Sequence, residues 1–105
     1  MRFDEYKNEA RVTDLMPNNL AYHTIGLVNE AGEVAGKVKK FMRGDSITHD
    51  DLVTMLSGEL GDLIWYAAMI CEDMGISFDQ VALSNLEKLA DRASRNVIKG
   101  NGDER

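Results

Sequence analysis

A single cysteine, Cys71, rules out an intrachain disulfide and a cysteine-based zinc cluster. It stands in an apolar run and reads as a small buried hydrophobe. The chain has one proline and nine glycines among its 105 residues, which excludes collagen-like or low-complexity organisation. Basic residues are outnumbered, 12 against 18 acids, and the net charge is −6. Binding to a nucleic-acid polymer, which is driven by phosphate neutralisation, is not expected of such a chain. The longest apolar run, Leu63 to Cys71, falls well short of the ~20 residues that span a bilayer. No membrane association is expected, no leader precedes the first helical pattern, and the expected location is cytoplasmic. No segment alternates with period two for long enough to be a strand.

What remains is 44% hydrophobic and 29% charged, an ordinary globular balance for a single domain over residues 1–105. Helical periodicity fills most of it. Residues 2–15 read as one amphipathic helix, ended at the Met16-Pro17 boundary. A second runs from about Asn19 to Arg43 and is stopped by Gly44. Thr48 is placed to cap a third, with Asp50 and Asp51 in its first turn, and Gly75 closes it. Ser77 and Gln80 have capping-box spacing at the head of a fourth helix, which ends near Arg95. Residues 97–105 read as a C-terminal loop. The expected fold class is all-α, with four helices.

Two of these helices carry acids where apolar side chains belong. At ~100° per residue, Leu52, Tyr66 and Ile70 fall within about 20° of Glu59, Leu63 within about 40°, and Leu56 and Met74 within about 60°. Asp62 lies at the edge of this arc. Around Glu30, His23, Lys37 and Phe41 fall within about 20°, Val34 within about 40° and Leu27 within about 60°, with Glu33 at the edge. A short connection makes the two helices an antiparallel hairpin. Glu30 lies 14 residues before Gly44 and Glu59 lies 15 after it, so folding at the glycine brings both acid pairs to one height.

Four carboxylates in one half-buried pocket repel one another and lose solvation. A hard divalent cation resolves both problems, and an all-oxygen ligand set suits Mg²⁺ or Mn²⁺. The expected metal ligands are Glu30, Glu33, Glu59 and Asp62. A di-iron carboxylate bundle would require Glu-x-x-His on two helices. Neither His23 nor His49 lies three residues after a glutamate, so that ligand set is absent.

The run "EAGE", then 25 intervening residues, then "ELGD" resembles the E-x-x-E…E-x-x-D signature of the MazG-like, all-α nucleoside triphosphate pyrophosphohydrolases. The similarity extends through "ELGDLIWYAAM", "NLEKLADR" and the terminal "GNGDER", and covers the chain from about Leu20 onward. The resemblance implies a four-helix bundle completed by homodimerisation. It also implies Mg²⁺-dependent hydrolysis between the α- and β-phosphates of a nucleotide, giving a monophosphate and pyrophosphate. The four acids match the family's metal ligands. Among them, Glu59 is the innermost, and Glu33 is our choice for the acid that takes the proton of the attacking water. Asn85 and Lys88 match positions used for ribose and phosphate contacts.

Other residues have more than one reading. Lys37, one turn beyond Glu33, is placed either to meet a phosphate or to pair with Glu33. Tyr66, one turn after Asp62, either contacts sugar or base or belongs to the core. Trp65 falls opposite the acids and reads as packing. His23 is within reach of a substrate, although an isolated histidine on such a face is more often structural. The tail "KGNGDER" is expected to be mobile without ligand and to close over bound nucleotide, with Arg92, Asp103 and Arg105 supplying contacts.

Gly32, Gly36, Gly58 and Gly61 project away from the acids, which points to close helix contacts on a second face. The third helix is apolar nearly all round from Leu63 to Cys71, and one chain has too few helices to cover it. A homodimer, or a dimer of dimers, is expected. Two alternative functions stand beside the leading one: a related phosphoribosyl-nucleotide pyrophosphohydrolase, and a non-catalytic metal-binding helical dimer.

Overall fold

The computed structural model describes residues 1–105 as four α-helices without strands: α1 (Phe3–Ala10), α2 (Leu20–Arg43), α3 (His49–Met74) and α4 (Phe78–Ser94). The boundaries follow local chemistry. The Asn19 side chain accepts a hydrogen bond from the backbone N–H of Tyr22 and caps α2. Thr48 and Asp51 cap α3 reciprocally, each side chain accepting from the other's backbone amide. Ser77 caps α4 at Gln80, but the Gln80 amide turns to the Ser84 hydroxyl instead of closing the expected box. Gly44 and Gly75 end α2 and α3 in the left-handed region, at φ 87° and 65°.

The first helix is shorter than its periodicity indicated. After Ala10 it tightens into a 3-10 turn, Arg11–Thr13, and then leaves helical geometry at Asp14. Two tertiary contacts account for this. The Trp65 indole N–H donates to the Thr13 hydroxyl at 2.9 Å, and Asp14 turns inward to His23. Tertiary anchors therefore override the last turn of an amphipathic pattern.

Helices α2 and α3 form the antiparallel hairpin that dominates the packing, and α1 lies across α3. Helix α4 packs almost wholly on α1. There the N-termini of α1 and α4 meet, and each is capped by an acid of the other. Asp4 accepts from the Phe78 N–H at 2.7 Å and the Ser77 hydroxyl at 2.6 Å, while Asp79 accepts from the Phe3 N–H at 2.9 Å. Two positive helix ends are thereby held together by two carboxylates. The Phe3 and Phe78 rings, 4.9 Å apart, seal the junction. The core is small: Ala68, Met69, Cys71 and Phe78, flanked by Tyr6, Ala10, Trp65 and Ala67.

His23 is completely buried. Its Nδ1 lies 2.5 Å from Asp73 and its Nε2 lies 3.0 Å from Asp14, and both carboxylates are nearly buried as well. It ties the 3-10 turn to the end of α3, and so has the structural role rather than the substrate-facing one.

The tail has no regular structure and is seated on α4. Lys88 and Arg92 both reach the Asp103 carboxylate, and Arg105 donates to the carbonyls of Val97, Ile98 and Gly102.

Candidate active site

Folding the hairpin at Gly44 brings Glu30 of α2 against Glu59 and Asp62 of α3, with one carboxylate oxygen from each lying within 4.8 Å of the others. Glu30 and Glu59 are half-buried and Asp62 is exposed, so the group opens to solvent on one side. The Glu30 carboxyl titrates above the usual range. Hydrogen bonding with Glu59 contributes most, followed by burial and the charges of Asp62, Glu59 and Glu33. Glu33 is exposed and stands outside the three-carboxylate group, although its charge reaches Glu30.

No cationic side chain lies within 4.0 Å of these acids. Three convergent oxygens without a protein counter-charge fit a hard divalent cation, whose opposite Mg–O ligands stand about 4.2 Å apart. Cation binding would draw the group slightly inward and relieve the repulsion among the carboxylates.

Aromatic side chains border the acids. The Tyr66 ring packs edge-on against Trp65, with centroids 5.0 Å apart, and tilted against His23 at 6.4 Å. Its phenol titrates high because of burial first, then Tyr22, Glu30 and Asp62, so it faces the acids. Tyr6 on α1 is also raised, by burial and by the charge of Asp62. Trp65 serves packing, as its position opposite the acids indicated.

The remaining candidates are not gathered here. Lys37 is half-buried, with no carboxylate within 4.0 Å, so the pairing with Glu33 does not form. Asn85 and Lys88 line a groove of 390 Å³ along α4, together with Ile76, Gln80, Val81 and Ser84. Arg92, only 5% exposed, Asp103 and Arg105 belong to the junction of α4 and the tail. These five residues form a second, basic region on the helix that packs against α1.

Sequence reasoning missed Tyr22, Tyr6 and Gly26. Gly26 had a legible signal, since it lies one turn before Glu30 and is the one glycine on the acid-bearing face of α2. Tyr6 and Tyr22 had none, because the nearness of Tyr6 to Asp62 and of Tyr22 to Tyr66 depends on how α1 and α2 cross α3.

This arrangement defines a helical protein with three convergent carboxylates, and comparison with known proteins narrows it. Residues 20–97 match the model of the MazG nucleotide pyrophosphohydrolase domain, and the chain belongs to that family. It is similar over its whole length to the Gene 37 protein of Mycobacterium phage L5, with 39% identity over 114 aligned positions and the whole of both chains covered. Its fold is that of iMazG from Vibrio DAT 722, whose crystal structure superposes with a TM-score of 0.61 at 19% identity, covering 90% of this chain and 97% of that one.

Proposed function

We propose that this protein hydrolyses a nucleoside triphosphate to the monophosphate and pyrophosphate, using Mg²⁺ held by Glu30, Glu59 and Asp62. The observation that carries this reading is the convergence of those three carboxylates to within 4.8 Å across the α2–α3 hairpin, in a chain of the nucleotide pyrophosphohydrolase family. The cation, with Mn²⁺ as an equivalent, would neutralise the triphosphate and lower the pKa of an attacking water. Glu33, close to the three acids but outside them, accepts the proton of that water. Tyr66 borders the site and contacts the sugar or base. Lys37 stands one turn beyond Glu33 with its charge uncommitted.

Asn85, Lys88 and Arg92 serve ribose and phosphate recognition, and the tail contributes through Asp103 and Arg105. A phosphate arriving at Lys88 meets a cation already engaged by Asp103, so substrate binding and tail position are linked. The test is pyrophosphate release from a panel of ribo- and deoxyribonucleoside triphosphates, with and without Mg²⁺. Orthophosphate as the first product, or turnover indifferent to chelation, would overturn the proposal.

The working unit in this proposal is a homodimer or a dimer of dimers. One chain exposes 7481 Å² of surface, about 1,600 Å² more than a compact monomer of its mass. Leu20, Ile25, Val28, Leu60 and Ile64 of the hairpin, and Leu83, Leu86 and Leu89 of α4, are all substantially exposed. A Cβ added at Gly32, Gly36, Gly58 or Gly61 would touch nothing within the chain, which leaves that face open for close approach by a second copy.

A further inference from the structure

Gly26 and Tyr66 face each other one turn away from the acids: Gly26 precedes Glu30 by four residues on α2, and Tyr66 follows Asp62 by four on α3. The contact between them is too close for any side chain on α2. A Cβ placed at Gly26 would lie 2.1 Å from Tyr66 Cε1, 2.4 Å from Cζ and 2.7 Å from Cδ1. Trp65, its neighbour on α3, packs edge-on against the ring, and His23, three residues before Gly26 on α2 and locked between Asp14 and Asp73, flanks it. An interior glycine weakens a helix, so its presence on the packed face of α2 calls for a structural return.

We propose that Gly26 is a positioning residue for the acid cluster. Its missing side chain lets the Tyr66 ring seat directly against the α2 backbone, and that seat sets the separation at which Glu30 reaches Glu59 and Asp62. Ordinary contact begins at 3.4 Å, so an added methyl would force ring and helix apart by more than an ångström. In this proposal the ring keeps its place against Trp65 on α3, so the movement falls on the spacing of α2 and α3. The three carboxylates, contributed by both helices, would then open. The phenol turned toward Tyr22, Glu30 and Asp62 would move with the ring. This inference rests on the reading of the acids as a cation site.

The test is a double-mutant cycle of Gly26→Ala and Tyr66→Ala, read by calorimetric binding of Mn²⁺ alone and by unfolding without metal. Gly26→Ala is expected to weaken Mn²⁺ binding about tenfold or more, the usual scale for losing a support of metal ligands. In the Tyr66→Ala background, where the obstructing ring is gone, Gly26→Ala should change affinity less than about twofold. If Gly26→Ala alone does not fold, recovery of folding in the double variant supports the same contact, and failure of both overturns it. A Gly26→Ala chain that binds Mn²⁺ like the wild type, or loses affinity equally in both backgrounds, overturns the positioning role alone. A wild-type chain that takes up no Mn²⁺ overturns this inference together with the cation-site reading.

Discussion

Glu30 and Glu59 share a position in which an acid without a cation is costly. The raised titration of Glu30 means that the proton is held more tightly in the folded chain than in the unfolded one. Its contribution to stability is therefore full below the ordinary glutamate range and is lost as pH rises through the raised value. Cation binding has the opposite dependence, since only the ionised carboxylate is a ligand, and Mg²⁺ affinity should increase across the same interval. Calorimetry at several pH values checks this through the proton released on binding. Glu59→Gln should lower turnover by at least about a hundredfold while leaving helicity intact. The same change should raise the melting point of the metal-free chain by relieving repulsion, and should blunt the further rise that Mg²⁺ gives the wild type. A variant that keeps most of its activity would remove Glu59 from the site.

His23 is the other residue whose surroundings dictate its charge. Burial disfavours its imidazolium, but the hydrogen bonds and charges of Asp14 and Asp73 together outweigh this and raise its titration. Stability from this group is present below the ordinary histidine range and declines as pH rises through the raised value. Replacing it with alanine leaves two nearly buried carboxylates facing an empty space. A loss of about 3 kcal/mol or more is expected in denaturant unfolding. The end of α3 and the 3-10 turn should loosen first in hydrogen exchange.

At the scale of elements, the caps and the tail carry the consequences. Thr48 and Asp51 close the α3 N-terminus reciprocally, and Thr48→Ala should cost about 1 kcal/mol without touching the acids about three turns further on. Helix α4 holds the tail through Lys88 and Arg92, whose hydrogen bonds first, and charges second, keep the Asp103 carboxyl below its usual range. Asp103→Asn should release residues 100–105 to limited proteolysis while far-ultraviolet circular dichroism stays unchanged. Lys88→Ala should do the same and also raise KM for a triphosphate, because its amine is proposed to serve both partners. Equal cleavage of wild type and Asp103→Asn would mean that the ion pair does not hold the tail.

For the whole molecule, the radius of gyration is 16.5 Å, against about 13 Å for a compact domain of this length. Only six residues are buried. An isolated chain with so small a core is a poor candidate for independent stability, and association through the glycine-bearing face of α2 and α3 would supply what is missing. Sedimentation should show a dimer or tetramer across the micromolar range. Gly61→Leu, at a position open within the chain, should disrupt that assembly by overpacking. A stable folded monomer at micromolar concentration would refute the assembly. No helix is long and apolar enough to cross a membrane.

Local patterning was sufficient to define the four helices, because their signals are short-range: Thr48 and Ser77 as caps, Gly44 and Gly75 as left-handed stops, and apolar recurrence between them. It was also sufficient to bring Glu30, Glu59 and Asp62 together, since a tight turn midway between two acid pairs leaves an antiparallel hairpin little choice of register. Three things were decided only by the tertiary structure. The end of α1 depends on Trp65 and His23, which lie far along the chain and claim Thr13 and Asp14. The place of Lys88 and Arg92 depends on α4 packing against α1, a choice made by the reciprocal caps of Asp4 and Asp79 rather than by the pattern of α4 itself. The seat of Tyr66 on Gly26 depends on how closely two helices approach. That contact joins residues far apart along the chain, and a one-dimensional pattern has no means of expressing it.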